Sequence, residues 1–195
     1  MIRRFQVTNA EYLAFVNDLV DRGERVLAER YAPRDRAPTA SERGEILYGR
    51  DGDRFVLRAD SEGEQWQPDW PVVMVDHVAA WAFARWEAAR TGAPWRLAGE
   101  LEWEKAARAG DGRIYPWGDA FDPSWCATRL AFRGATRLES VGARPLDESV
   151  YGVRGLAGNV VELTADRLAP QGSTPDDGER AVSYTHLTLP TSDLV

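Results

Sequence analysis

The central stretch of the chain is QWQPDWPVVMVDHVAAWAFARW, residues 65–86. It begins as an aromatic loop and continues as an apolar run, which predicts a short buried strand over residues 72–75. Asp76 then provides a good N-cap, so we expect a helix over residues 77–90 that ends at Gly92. Aromatic residues occur on more than one side of this helix, and it should therefore be largely buried.

Tryptophan is concentrated around this stretch. The eight tryptophans of the chain are Trp66, Trp70, Trp81, Trp86, Trp95, Trp103, Trp117 and Trp125. Each can bury a large apolar area and needs a hydrogen-bond partner for its indole N–H. Residues 66–125 are therefore predicted to contain the core of the fold.

Further elements are predicted on either side. A helix spans residues 8–22, where Thr8 and Glu11 form a capping box ahead of apolar residues at helical spacing. The charged residues 23–45 predict a surface insertion, and the GRDGD sequence after them predicts the turn of a hairpin. A last helix is predicted over residues 99–108.

The composition excludes several classes of protein. The 195 residues carry a net charge of -7, with 31 acidic against 24 basic residues, which disfavours nucleic-acid binding through a basic surface. No apolar run approaches the roughly 18 residues of a membrane span. One cysteine (Cys126) and two histidines (His77 and His186) exclude an internal disulfide, a cysteine-based zinc cluster and a three-histidine metal site. We therefore expect a soluble, cytoplasmic protein that binds neither nucleic acid nor membranes.

Five motifs occur in a recognisable order. They are VTNAEYLAFV (7–16), PVVMVDHVAAWAFARW (71–86), RLAGELEWEKAARAG (96–110), YPWGD (115–119) and GLAGNVVEL (155–163). In this order they resemble the sulfatase-modifying factor family, which groups formylglycine-generating enzymes with relatives of the ergothioneine-sulfoxide-synthase and pyoverdine-maturation types. The resemblance covers about residues 5–166.

The resemblance implies an α+β domain with little regular secondary structure, related to the C-type-lectin fold. Residues 1–166 would form an incomplete copy of it, because the first strand and the downstream half, with its arginine- and glycine-rich stretch and its catalytic cysteine pair, are not found. Residues 167–195 are predicted to be polar coil and non-native, since their end resembles adaptor read-through in metagenomic gene models.

Two functions follow from the resemblance. The parent protein would be a metal- and O₂-dependent oxidase acting on a protein cysteine or a small thiol. Copper or iron would be present only in the full-length parent, and this fragment would be inactive, with no catalytic residue of its own. The alternative is a non-catalytic binding or accessory module of the same fold, fused to a signalling kinase or another domain.

The GLAGNVVEL motif is the best candidate site. By resemblance, the carbonyls of Gly158 and Val160 and the carboxylate of Glu162 would bind a structural Ca²⁺, which prefers such oxygen ligands. The family also uses an asparagine side chain three residues before the glycine, where this chain has Gly155. One oxygen ligand is therefore missing, and a purely structural turn is the alternative.

The remaining candidates favour structural roles. Cys126 is predicted to be a small buried hydrophobe and His77 a partly buried structural histidine. The alternating acids Glu100, Glu102 and Glu104 cannot share one helix face, so capping and ion pairing with nearby arginines are favoured over an acid–base pair.

Two motifs depart from the family pattern. Gly99 stands where the family has a threonine, which removes half of a second capping box at a cost of a few tenths of a kcal/mol, roughly. Val161 and Leu163 stand where the family has tryptophans.

Overall fold

Helix α1 (Asn9–Asp21) begins at a complete capping box. The Oγ1 of Thr8 accepts a hydrogen bond from the Glu11 N–H at 3.3 Å, and the Glu11 carboxylate accepts from the Thr8 N–H at 2.9 Å. The first predicted helix is therefore confirmed. The structure is a computed structural model that describes residues 1–35, 44–60, 63–132 and 137–166.

The described residues form a mixed α+β fold with one small sheet. After α1 come α2 (Arg25–Tyr31), β1 (Gly49–Asp51), β2 (Arg54–Val56), α3 (His77–Thr91), α4 (Glu100–Arg108) and a 3₁₀ turn (Arg129–Ala131). Strands β1 and β2 pair antiparallel, with Asp51 opposite Arg54. Gly52 in the turn has a φ of 58°, which suits glycine and confirms the predicted hairpin.

The largest apolar cluster, which we call the N-terminal core, joins α1, α2, α3 and the hairpin. Its buried members are Tyr12, Phe15, Val16, Leu19, Val20, Ala28, Ala32, Tyr48, Phe55, Trp66 and Phe83. The ring of Phe15 contacts those of Tyr12, Tyr31, Phe83 and Trp86, with centroids 5.5 to 5.9 Å apart. Aromatic stacking thus holds three helices together.

The predicted tryptophan core is only partly correct. Among the tryptophans, Trp66 and Trp103 are buried and the other six are partly exposed or more. The indole N–H needs a polar partner, so the edge of the ring stays near polar groups and is not fully buried. Trp86, for example, donates to the Asp18 carboxylate at 2.7 Å. The core is therefore centred on the aromatic face of α1, outside the predicted window.

Two other predictions differ from the structure. Residues 72–75 do not form a strand: the Val72 N–H donates to the Val7 carbonyl at 2.8 Å, but Met74 has a φ of 59°, which breaks the extended backbone. Within residues 23–45 the chain forms α2, which packs on α1 and α3 and buries Ala28. That this segment is an insertion stays a prediction.

The ends of α3 agree with the sequence. The Asp76 carboxylate accepts from the Ala79 N–H at 2.8 Å, and Gly92 ends the helix with a φ of 71°. No described helix is long and apolar enough to cross a membrane. Cytoplasmic location stays a prediction, and residues 167–195 lie outside the described residues.

A second, smaller cluster lies where α4 meets residues 137–166, which we call the turn region. Trp103, Ala106 and Ala107 of α4 pack there on Val153 and Leu156. The turn region has no helix or strand of its own. Its polar backbone must therefore find other partners.

Candidate functional site

The turn at Gly158 is packed directly against a neighbouring loop. The Asn159 N–H donates to the Ala127 carbonyl at 2.8 Å, and a Cβ at position 158 would lie 2.7 Å from that carbonyl oxygen. Only glycine fits such a close approach. The Asn159 side chain accepts from the Glu139 N–H at 3.0 Å and donates to the Glu139 carbonyl at 2.9 Å. Long-range backbone contacts thus fix the shape of the motif.

The predicted calcium ligands lie in and just after this turn. The Gly158 carbonyl accepts from the Val160 N–H at 2.9 Å and keeps a second lone pair. One carboxylate oxygen of Glu162 accepts from the Trp103 indole N–H at 2.8 Å, and the other accepts from the Gln6 amide at 3.1 Å. Both oxygens keep further acceptor capacity.

A second carboxylate, that of Asp147, is buried beside the same turn. It is 1% exposed, and its oxygens lie 3.3 and 3.2 Å from the Ala157 N–H. Burial, together with the nearby Glu162 carboxylate, raises the pKa of Asp147 to about 7. Burial also raises the pKa of Glu162, against the hydrogen bonds that it accepts. Within the described part of the chain, neither acid forms an ion pair with lysine or arginine.

The donor set fits a hard cation such as Ca²⁺. It offers carboxylate and carbonyl oxygens, and the Oε1 atom of Gln6 is buried with no hydrogen-bond partner among the described residues. Those residues contain no cluster of three or more His, Cys, Asp or Glu side chains that could hold a metal ion. A cation here would therefore depend on backbone oxygens as well as on Glu162.

Cys126 and His77 lie where structural side chains are expected. Cys126 is 1% exposed, and burial raises the pKa of its thiol to about 11, so the reactive thiolate is disfavoured at neutral pH. The Nε2 atom of His77 lies 3.0 Å from the Thr164 carbonyl. His186 lies outside the described residues.

Two of the three acids of α4 are ion-pair partners, and one of them, Glu102, also caps the helix. Glu102 makes two contacts with Arg96, at 2.6 and 2.7 Å, and the hydrogen bond from Arg96 lowers the pKa of Glu102 to about 2. Glu104 pairs with Arg108 at 2.9 Å. The interpretation as ion pairs is confirmed for these two residues, and the lowered pKa of Glu102 is the opposite of what a general acid needs at neutral pH.

Sequence reasoning missed three polar residues around the site. Gln6 and Asp147 surround the turn, and the Asp166 carboxylate accepts from the Glu100 N–H, so it caps α4 where Gly99 has no side chain. Gln6 and Asp166 act on partners 149 and 66 positions away, respectively. No local pattern could have indicated these contacts.

Comparisons with known proteins support the resemblance. The family model of the sulfatase-modifying factor enzyme 1-like domain matches residues 1–186. The chain belongs to this family. The match extends beyond residue 166, where the recognisable motifs end.

Three of its relatives place the chain within the family. A hercynine oxygenase of Mycolicibacterium thermoresistibile is 36% identical over 180 residues, covering 89% of this chain and 37% of the oxygenase. An inactive C-alpha-formylglycine-generating enzyme 2 of Mus musculus is 38% identical over 113 residues, covering 52% of this chain and 34% of the mouse protein. The solved structure of PvdO from Pseudomonas aeruginosa has a TM-score of 0.58 at 26% identity, covering 85% of this chain and 56% of PvdO.

These matches support a formylglycine-generating-enzyme-like fold, whereas the relation to C-type lectins stays a prediction. The chain spans less than two fifths of the length of the hercynine oxygenase that it matches. The match therefore does not by itself assign an activity to the whole protein.

Proposed function

We propose that this chain is part of an oxidase that uses a metal and O₂ to oxidise a small thiol or a protein cysteine. The observation that carries the proposal is the similarity to a hercynine oxygenase along 89% of the chain. Copper or iron would supply the redox chemistry, and both the metal ligands and the nucleophile would come from outside the described residues. Cys126, with its raised pKa, is unsuited to the role of nucleophile.

In this proposal the described residues are a scaffold. The N-terminal core gives α1 and α3 fixed positions, and the turn region attaches α4 through Glu162 and Asp166. An irregular site needs such support, because a catalytic group displaced by about 1 Å can lose about 10²-fold in rate.

Oxygen uptake tests the proposal. The protein encoded by the natural locus, sequenced across both ends of this reading frame, would be supplied with Fe²⁺ or Cu⁺ and given hercynine plus cysteine, or a cysteine peptide. Uptake above that of metal and thiol without protein is expected. The chain of 195 residues alone should give none above this background. Absence of uptake by the complete protein with both metals and both substrates would contradict an oxidase.

The second candidate is a non-catalytic binding module. The similarity to a mouse protein whose name calls it inactive favours this alternative, at 38% identity over 113 residues. It predicts binding of the cysteine peptide without oxygen uptake, and binding can be measured by fluorescence polarisation in the same samples.

We also propose that the turn region binds a structural Ca²⁺ through the carbonyls of Gly158 and Val160 and the carboxylate of Glu162. The support is the oxygen donor set around a partly buried carboxylate without a basic partner in the described residues. Calcium that binds only the folded state raises the melting temperature. A melting temperature and tryptophan fluorescence that do not respond to millimolar calcium would contradict this site.

A further inference from the structure

The two apolar clusters of this protein are packed separately. Among the described elements, no Cα atom of α4 lies within 8 Å of a Cα atom in α1, α2, α3 or the hairpin. The partly buried apolar residues that pack on the N-terminal core come from residues 7–86, whereas Ala98 packs on the smaller cluster. The junction between the two units therefore depends on polar contacts, and units joined in this way can open one at a time.

The first residues of the chain cross this junction. Residues 3–7, which we call the N-terminal clasp, are attached to the N-terminal core at one end, where the Val72 N–H donates to the Val7 carbonyl at 2.8 Å. Nearer the start of the chain, the Arg154 N–H donates to the Arg4 carbonyl, also at 2.8 Å. One short segment is thus hydrogen-bonded to both units.

The Gln6 amide adds side-chain contacts with the turn region. Its Nε2 donates to the Gly155 carbonyl at 2.6 Å and to a carboxylate oxygen of Glu162 at 3.1 Å. Gly155 has a φ of 73°, and a Cβ at this position would overlap the Gln6 amide. Position 155 therefore needs a glycine for this contact to form.

The ring of Phe5 contacts two arginines, one from the clasp and one from the turn region. The guanidinium carbons of Arg4 and Arg154 lie 5.5 and 5.9 Å from its centroid, within the range of a cation–π interaction. Both arginines also form ion pairs with Glu148. These contacts join the same two segments as the backbone hydrogen bond, so they strengthen the same end of the clasp.

Other hydrogen bonds also cross the junction. The Val141 N–H donates to the Asp69 carbonyl at 3.0 Å, and the Nε2 atom of His77 lies 3.0 Å from the Thr164 carbonyl. The clasp joins the two units at more points than either of these contacts does.

We infer that the N-terminal clasp is a conformational device, whose release lets α4 and the turn region open while the N-terminal core stays folded. Helix α4 and the turn region would open together, because the Trp103 indole donates to Glu162 at 2.8 Å and Trp103 packs with Val153 and Leu156. This inference concerns the described residues alone, and it depends neither on the proposed oxidase nor on the proposed calcium site.

Hydrogen exchange of the full chain tests the clasp, with EDTA present so that bound calcium does not contribute. In the unchanged chain, α4 and residues 153–163 should exchange faster than α1 and α3. Gln6→Ala removes two hydrogen bonds across the junction, so exchange in α4 should rise about tenfold and exchange in α1 should not change. The milder Phe5→Leu should raise exchange in α4 about threefold. Gln67→Ala is the matched control, since Gln67 is exposed and its amide donates to Gln65.

Two glycines test the clasp from the turn region. Gly155→Ala and Gly152→Ala impose similar backbone strain, with φ values of 73° and 77°, but only the Cβ at position 155 would overlap the Gln6 amide. Gly155→Ala should therefore speed exchange in α4 more than Gly152→Ala does, and this excess should disappear when Gln6 is replaced by alanine. An excess that persists in the Gln6→Ala background would overturn the role of Gln6.

Two results would overturn the clasp as a whole. One is an equal effect of Gln6→Ala and Gln67→Ala on α4, together with no effect of Phe5→Leu. The other is an equal acceleration of α1 and α4 in the clasp variants, because the two units would then unfold as one.

Discussion

The N-terminal core and the turn region of this protein are stabilised in different ways. In the N-terminal core, aromatic side chains of neighbouring helices contact each other, and Phe15 alone contacts four other rings. In the turn region, individual polar side chains bind backbone groups, as Asn159 binds Glu139. Apolar contacts tolerate small changes of shape, whereas each hydrogen bond depends on one geometry. The two regions should therefore respond differently to substitution.

The largest effect is expected from Phe15→Ala in the N-terminal core. Phe15 is 2% exposed, and removing its ring should lower the free energy of unfolding by about 3–5 kcal/mol. Urea denaturation followed by circular dichroism measures the loss. Leu101→Ala is the control, since Leu101 is 80% exposed, and it should change stability by less than about 0.5 kcal/mol. Similar losses for both variants would contradict the assigned core.

A pair of asparagines allows a direct comparison of the two regions. Asn17 binds both backbone groups of Phe55, at 2.8 and 3.0 Å, just as Asn159 binds those of Glu139. Asn17→Ala leaves two buried groups unpaired and should cost about 2–3 kcal/mol. Asn159→Ala should cost less, about 1–2 kcal/mol, because water reaches its partly buried partners. Urea titrations of both variants check this order, and a larger loss at Asn159 would reverse the comparison.

Gly158→Ala should damage the turn region without touching the N-terminal core. The new Cβ would lie 2.7 Å from a backbone oxygen of Ala127, and relieving that overlap should cost about 1–3 kcal/mol. Gly110→Ala is the control, because no atom lies within 4 Å of the corresponding Cβ. Hydrogen exchange should show faster exchange at residues 155–163 and little change in α1. Uniform loss of protection would mean that the two regions unfold as one.

The buried acid Asp147 should make the turn region sensitive to pH. The pKa of Asp147 is about 7 in the folded chain, against an ordinary value of 3.8. Between pH 3.8 and about 7 the folded state therefore binds more protons than the unfolded state does. The contribution of Asp147 to the free energy of unfolding is then largest below pH 3.8. It falls as the pH rises towards 7, by at most about 1.4 kcal/mol per pH unit. Asp147→Asn should flatten this dependence in urea titrations from pH 5 to 8 with EDTA. An unchanged slope would contradict the assignment to Asp147.

The smallest effect concerns the helix caps. Helix α1 has a complete capping box. At α4 only one of the two hydrogen bonds of such a box is possible: the Glu102 carboxylate accepts from the Gly99 N–H at 2.8 Å, whereas Gly99 has no side chain to accept in return. Gly99→Ser should add the missing side-chain acceptor and stabilise the protein by a few tenths of a kcal/mol, roughly. A shift in melting temperature measures it, with Thr8→Gly as the opposite change. A loss of stability would indicate that the new side chain displaces the Asp166 carboxylate, which accepts from the Glu100 N–H and would lie 3.3 Å from the new Cβ.

Local patterns predicted the helices well and the site incompletely. The capping box at Thr8, the cap at Asp76 and the stop at Gly92 each involve residues within one helical turn of each other, so they can be read directly from the sequence. The run at residues 72–75 was misread as a strand, since a strand needs a neighbouring partner that local composition does not specify. Helix α2 was missed inside a charged segment because a helix of seven residues is stabilised mainly by packing, here on α1 and α3, which the local sequence does not specify.

The motifs established the family and pointed to Gly158 and Glu162, because short motifs in a fixed order can be recognised directly in the sequence. Folding alone brought Gln6 and Asp147 to the same turn and Asp166 to the start of α4. The contact of Gln6 joins positions 156 apart in the chain and that of Asp166 positions 66 apart, so both depend on tertiary packing. Such hydrogen bonds, and buried carboxylates without a nearby positive charge, arise only from tertiary packing. The local sequence does not specify which distant residue a side chain will contact.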